Sequence, residues 1–168
     1  NGTLFAGVGL GQSPRGIYVS WMATGHTWEG AWNLQVQVSG PTDASSHEPA
    51  VAVGVQDLFN ERNGPIKEGH SARSFYVVAT GSLPQATWRP VYWTLGLGDG
   101  RFKNGMAGVS VPLDDHFKLA GEWDSFNLNA GLAWSLQGAG NQDPYDVMLY
   151  LGETDLQYPI IGATWTWR

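Results

Sequence analysis

Between Trp32 and Gly40 the chain reads WNLQVQVSG, so that Trp32, Leu34, Val36 and Val38 alternate with Asn33, Gln35, Gln37 and Ser39. A period of two marks a β-strand with two chemically distinct faces, because successive side chains leave the pleat on opposite sides. What such a strand belongs to depends on which face is wet. In a soluble sheet the apolar face packs on a core, whereas in a transmembrane barrel it meets lipid and the polar face lines the interior.

The same alternation recurs almost from end to end, broken by Gly, Pro, Asn, Asp and Ser, and no stretch carries helical periodicity. It predicts an all-β chain with strands at residues 3–11, 16–24, 30–39, 49–57, 73–81, 89–98, 106–113, 117–124, 126–137, 146–152 and 157–168. One face then collects residues such as Val8, Ile17, Val53, Val77, Leu95, Val109, Leu119, Leu132, Leu149 and Ile161, and no charge falls among them. A lipid-facing surface requires that, since Arg or Lys at mid-bilayer costs about 2–4 kcal/mol. The other face mixes glycines with Tyr18, Gln35, Gln37, Tyr76, Tyr92, Lys118, Glu122, Asp124, Asn129, Tyr150 and Arg168. Small residues beside large polar ones suit a narrow barrel interior.

Composition agrees: 14% of residues are charged and 23 are glycine, against about a quarter charged in an ordinary soluble domain. Several segments run to nine or ten residues. A tilted membrane strand needs about 9–11, while globular strands centre on about five or six. Of the nine tryptophans, Trp21, Trp32, Trp93, Trp123, Trp134, Trp165 and Trp167 fall on the apolar face, several near strand ends, as two interfacial aromatic girdles would place them. With the last strand ending on the periplasmic side, the longest connection, from Asp57 to Ser71, falls outside and short turns such as PLDDH fall inside. Eleven segments is an odd count where bacterial single-chain barrels are even, so the expectation is ten to twelve strands in one domain spanning 1–168. No signal-peptide pattern precedes the first strand, consistent with a processed form or part of a longer chain.

The middle of the chain carries further markers. PAVAVGVQDLFN (Pro49 to Asn60), SFYVVATGSL (Ser74 to Leu83), WTLGLGDGRF (Trp93 to Phe102) and GMAGVSVPLDDHFKLAGEWDSFNLNAGLAWSL (Gly105 to Leu136) follow in that order. Together they resemble the repeating hairpins of the YjbH-type outer-membrane β-barrel proteins, a family associated with exopolysaccharide production in Gram-negative bacteria. The shared elements are a Gln-Asp pair closing a Val-rich strand, a Gly-x-Gly-x-Gly-Arg strand end, a Pro-Leu turn, a Glu-x-Asp strand end and an Asn-Ala-Gly-Leu strand. The resemblance implies a barrel in the outer membrane and brings no catalytic residue with it.

Other chemistry finds little footing. The four histidines, His26, His47, His70 and His116, sit in predicted turns without metal-ligand spacing. His70 and Ser71 are adjacent, which does not present a triad, and GLGDGR at Gly96 to Arg101 lacks the following helix and Lys of a phosphate loop. Glu122 and Asp124 share a strand face at a spacing loosely compatible with glycosidase carboxylates, yet a network with Lys118 and Arg168 is the simpler reading. No metal, cofactor or catalytic residue is expected. A formal charge of -6 offers no basic surface to nucleic acid. The expected partners are outer-membrane lipid and other envelope proteins or polysaccharide. Two alternatives stand beside the anchoring barrel: a narrow outer-membrane pore, and a soluble carbohydrate-binding sandwich using Trp28 or Trp88.

Overall fold

The computed structural model describes residues 3–12, 14–24, 30–42, 48–60, 73–83, 89–137 and 145–167. Within them the chain forms β1 (Thr3–Gln12), β2 (Arg15–Thr24), β3 (Gly30–Ser39), β4 (Ala50–Gln56), β5 (Ser74–Leu83) and β6 (Val91–Gly98). A single 3-10 turn, Gly100–Phe102, precedes β7 (Met106–Pro112), β8 (Phe117–Trp123), β9 (Leu128–Ser135), β10 (Tyr145–Thr154) and β11 (Tyr158–Trp167). Every segment singled out by its alternation is a strand, with ends within two residues of those expected. The strands form one eleven-stranded antiparallel sheet in sequential order, β1 to β11, and the order does not close on itself.

The chain divides into two compact units, Asn1–Gly81 with Leu95–Gly105, and Ser82–Thr94 with Met106–Arg168. In the first, β2 to β5 align Tyr18, Gln35, Gly54 and Tyr76 as successive cross-strand partners. The alternation of β3 ends earlier than its sequence indicates. Register shifts between Gln37 and Ser39, so Val38 is the extra residue of a bulge and Ser39 comes opposite Val51 on the apolar side. In the second unit, β8 pairs with β9 from Phe117↔Trp134 to Trp123↔Leu128, and β10 with β11 from Tyr145↔Trp167 to Thr154↔Tyr158.

Turn chemistry sets the strand ends. The segment 126–137 was expected to begin at Phe126, but Ser125 has a positive φ of 82° and the Asp124 carboxylate accepts the N–H groups of Phe126 (3.0 Å) and Asn127 (2.8 Å). Those donors serve an Asx turn and not the ladder, and β9 starts at Leu128.

Among the described residues these strands bury few hydrophobic side chains. Those buried are Ala23, Ala52, Val55 and Ala133. Large apolar side chains lie in the open instead: Leu10 is 71% exposed, Leu97 67%, Leu151 62% and Ile161 86%. Also buried are the polar side chains of Ser74, Ser125, Asp57 and Ser20.

Candidate functional site

The polar face of the first unit is built around an absent side chain. Tyr76 lies across Gly54, its register partner on β4, and its hydroxyl donates to Gln35 Oε1 at 3.0 Å on β3. A Cβ on Gly54 would collide with the Tyr76 ring, so the glycine makes room for a link spanning three strands. Gln37 lies half-buried opposite Ala52 on the same face. Nearer the strand ends, Asn33 Nδ2 donates to Ser20 Oγ (3.3 Å), while its Oδ1 accepts the backbone N–H of Asp57 (3.1 Å).

In the second unit the polar face divides into two groups. Lys118 places its ammonium 5.3 Å from the centroid of Tyr92, a cation–π distance. Glu122 is held elsewhere: Asn129 Nδ2 donates to Glu122 Oε1 (3.1 Å) and to Asp124 Oδ2 (3.5 Å), and Asn129 Oδ1 accepts the N–H of Asp155 (3.0 Å). Lys118 thus contacts Tyr92, while Glu122 and Asp124 share Asn129. Lys118 and Glu122 stand four residues apart on one strand, about 13 Å at strand rise. Asn129 is the hub that sequence reasoning missed, as it missed Asn33. Both amides lie on the polar face near a strand end, the position where a side chain can reach the backbone of the next turn.

Glu122, Asp124 and His116 of the second unit are each engaged in hydrogen bonds. Asp124 spends one oxygen on its own turn and shares Asn129 with Glu122 through the other, a structural use of both carboxylates. At the opposite end of the same hairpin a serine, a histidine and a carboxylate meet in the wrong connectivity. His116 Nδ1 lies 2.9 Å from the backbone carbonyl of Ser135, and the Ser135 hydroxyl donates to Asp146 (3.0 Å). The imidazole nitrogen thus meets the Ser135 backbone, while the Ser135 hydroxyl serves Asp146. Among the described residues no group of three His, Cys, Asp or Glu is placed to hold a metal, and no helix is long and apolar enough to cross a membrane.

The apolar face supplies the other half of the site. On β8 and β9 it presents Phe117, Leu119, Trp123, Leu128, Leu132 and Trp134, with Phe117 stacked on its partner Trp134 at 6.0 Å. Phe117 and Trp123 stand six residues apart, about 20 Å along the strand. Charges begin just past them, Asp114 and Asp115 beyond one end and Asp124 beyond the other. Trp165 is exposed on β11 opposite Val147, and in the first unit Trp21 and Trp32 are cross-strand partners near the shared end of β2 and β3. Trp93 is half-buried on β6, and Trp167 closes β11. Arg168, Trp28, Trp88, His26, His47, His70 and Ser71 lie outside the described residues.

Comparison of the chain with protein-family models, curated proteins and solved structures found no match.

Proposed function

We propose that this chain is an integral bacterial outer-membrane β-barrel with a structural, envelope-anchoring role, its apolar face toward lipid and its polar face toward the interior. One observation carries the reading: the uncharged strand faces are open to the surroundings while only three alanines and one valine are buried among the described hydrophobic residues. A large apolar side chain gains about 1.5–3 kcal/mol when removed from water, so a sheet that leaves dozens of them uncovered has no source of stability in plain solution. Lipid covers those on the apolar face, and closure of the sheet gives both outer strands a partner where no water is present to supply one. A role in surface polysaccharide handling rests on the resemblance to the YjbH-type proteins alone.

Gel mobility in SDS with and without boiling tests the proposal. A folded barrel resists SDS when cold, and the membrane-extracted chain is expected to shift on heating. Extraction by plain buffer with no shift would turn the strands inside out and favour a soluble sandwich. Planar-bilayer recordings separate an anchor from a narrow pore. The Tyr76–Gln35 link and the Lys118–Tyr92 contact occupy the polar face, and the expected result is silence.

A further inference from the structure

A net-acidic chain with nine Lys and Arg against fifteen Asp and Glu concentrates cations at one place in its first unit. Arg73 immediately precedes β5, while Arg101 and Lys103 follow β6 in the Gly100–Phe102 turn and just after it. Backbone packing brings these segments together. Asp99 N–H donates to the Phe75 carbonyl (3.0 Å), Phe75 N–H donates to Asp99 Oδ1 (2.7 Å) and Arg101 N–H donates to Ser74 Oγ (2.9 Å). Gly100 has a positive φ of 48°, and a Cβ there would stand 2.5 Å from Ser74 Oγ and 3.2 Å from the Arg73 carbonyl. Only glycine lets the turn approach this closely, and the approach brings the Arg101 backbone against Ser74, the residue next to Arg73.

The described acids at this end are of two kinds, one buried and one exposed but engaged with the backbone. Asp57 is 3% exposed, and Asp99 spends Oδ1 on the Phe75 amide. Around the cations lie exposed apolar side chains: Phe75, Leu97 and, in the turn whose Asn60 Oδ1 accepts the Arg73 N–H (3.3 Å), Phe59. Positive charge at the rim of an apolar strand face matches an amphiphile with a negative head and hydrocarbon tails.

We infer that Arg73, Arg101 and Lys103, at the end where β5 begins and β6 stops, bind the phosphate of an anionic lipid head group whose acyl chains run along Phe75 and Leu97. The inference rests on the membrane reading above, since only a lipid-embedded face brings acyl chains to Phe75. Juxtamembrane cations contribute about 1 kcal/mol each toward anionic lipid, roughly fivefold per cation, and the effect fades with salt.

The test reconstitutes the full chain in vesicles of phosphatidylcholine with graded phosphatidylglycerol and reads lipid selectivity from spin-labelled forms of each. The parent is expected to select phosphatidylglycerol severalfold. The Arg73→Gln/Arg101→Gln/Lys103→Gln variant should lose that selectivity while keeping its heat-dependent gel shift, and Arg15→Gln, on the β1–β2 turn, should keep both. Failure to insert into phosphatidylcholine alone would sink the membrane reading and this inference with it. Insertion without selectivity, or selectivity unchanged in the triple variant, would overturn only the lipid site. Displacement of labelled phosphatidylglycerol by inorganic phosphate would assign the cations to a free anion and overturn the lipid assignment.

Discussion

Gly54 and Tyr76 share one volume, and the chain uses it for the ring of the larger residue. Gly54→Ala should destabilise the folded state by about 1–3 kcal/mol through overpacking, and far less in a Tyr76→Ala background where the ring is gone. Tyr76→Phe removes only the bond to Gln35 and should cost about 0.5–1.5 kcal/mol; urea unfolding in detergent measures all of them. Asp114 offers a titration. Its carboxyl is held below the ordinary carboxylate range, first by the Phe117 N–H and then by the His116 N–H, both donating to Oδ1 at 2.7 Å, with the positive charges of His116 and Arg89 helping. A depressed pKa in the folded state stabilises the β7–β8 turn above the unfolded value and loses that contribution as pH falls through the folded one. Amide exchange at His116 and Phe117 should therefore quicken below about pH 4. Asp114→Asn keeps an acceptor oxygen without the charge and should flatten this dependence.

At the scale of elements, the β10–β11 turn places φ of 57° and 49° at Asp155 and Leu156, with Gln157 N–H donating to the Thr154 carbonyl (3.2 Å). Positive φ at both central residues is the hairpin geometry that follows strand twist, and Asn-Gly satisfies it at low cost. Leucine does not, because its Cβ crowds the following carbonyl by about 1–2 kcal/mol. Leu156→Gly is expected to stabilise the hairpin by about 1 kcal/mol, read as a higher urea midpoint with an unchanged slope. The bulge in β3 makes a different point about elements. Sequence alternation continues through Val38 and Ser39, but pairing with β4 requires an extra residue there, and only the partner strand reveals it.

For the whole molecule the decisive contrast is between the two strand faces. Leu119→Arg places a charge midway along the apolar face of β8 and should cost about 2–4 kcal/mol for refolding into vesicles. Gln37→Arg, on the polar face of β3, should refold into the same vesicles with a much smaller loss. Equal penalties at both positions would contradict the assignment of faces. In a water-soluble sheet the order of penalties would differ again, since a charge on an exposed face costs almost nothing.

Strand number, order of elements and the division into apolar and polar faces were legible in the chain because side-chain direction alternates strictly with residue number, a local property of the pleat. The polar contacts were not. Lys118 and Glu122 share a face, and each reaches sideways, to Tyr92 and to Asn129, because neighbouring strands stand closer than residues four apart on one strand. Likewise nothing local told Asn129 to join two hairpins, or Gly100 to bring Arg101 against Ser74. Which residues carry the faces was legible in sequence wherever no bulge interrupts parity, as one does at Val38. Which of them touch was settled by tertiary structure, since it depends on register between strands, and register is a property of pairs.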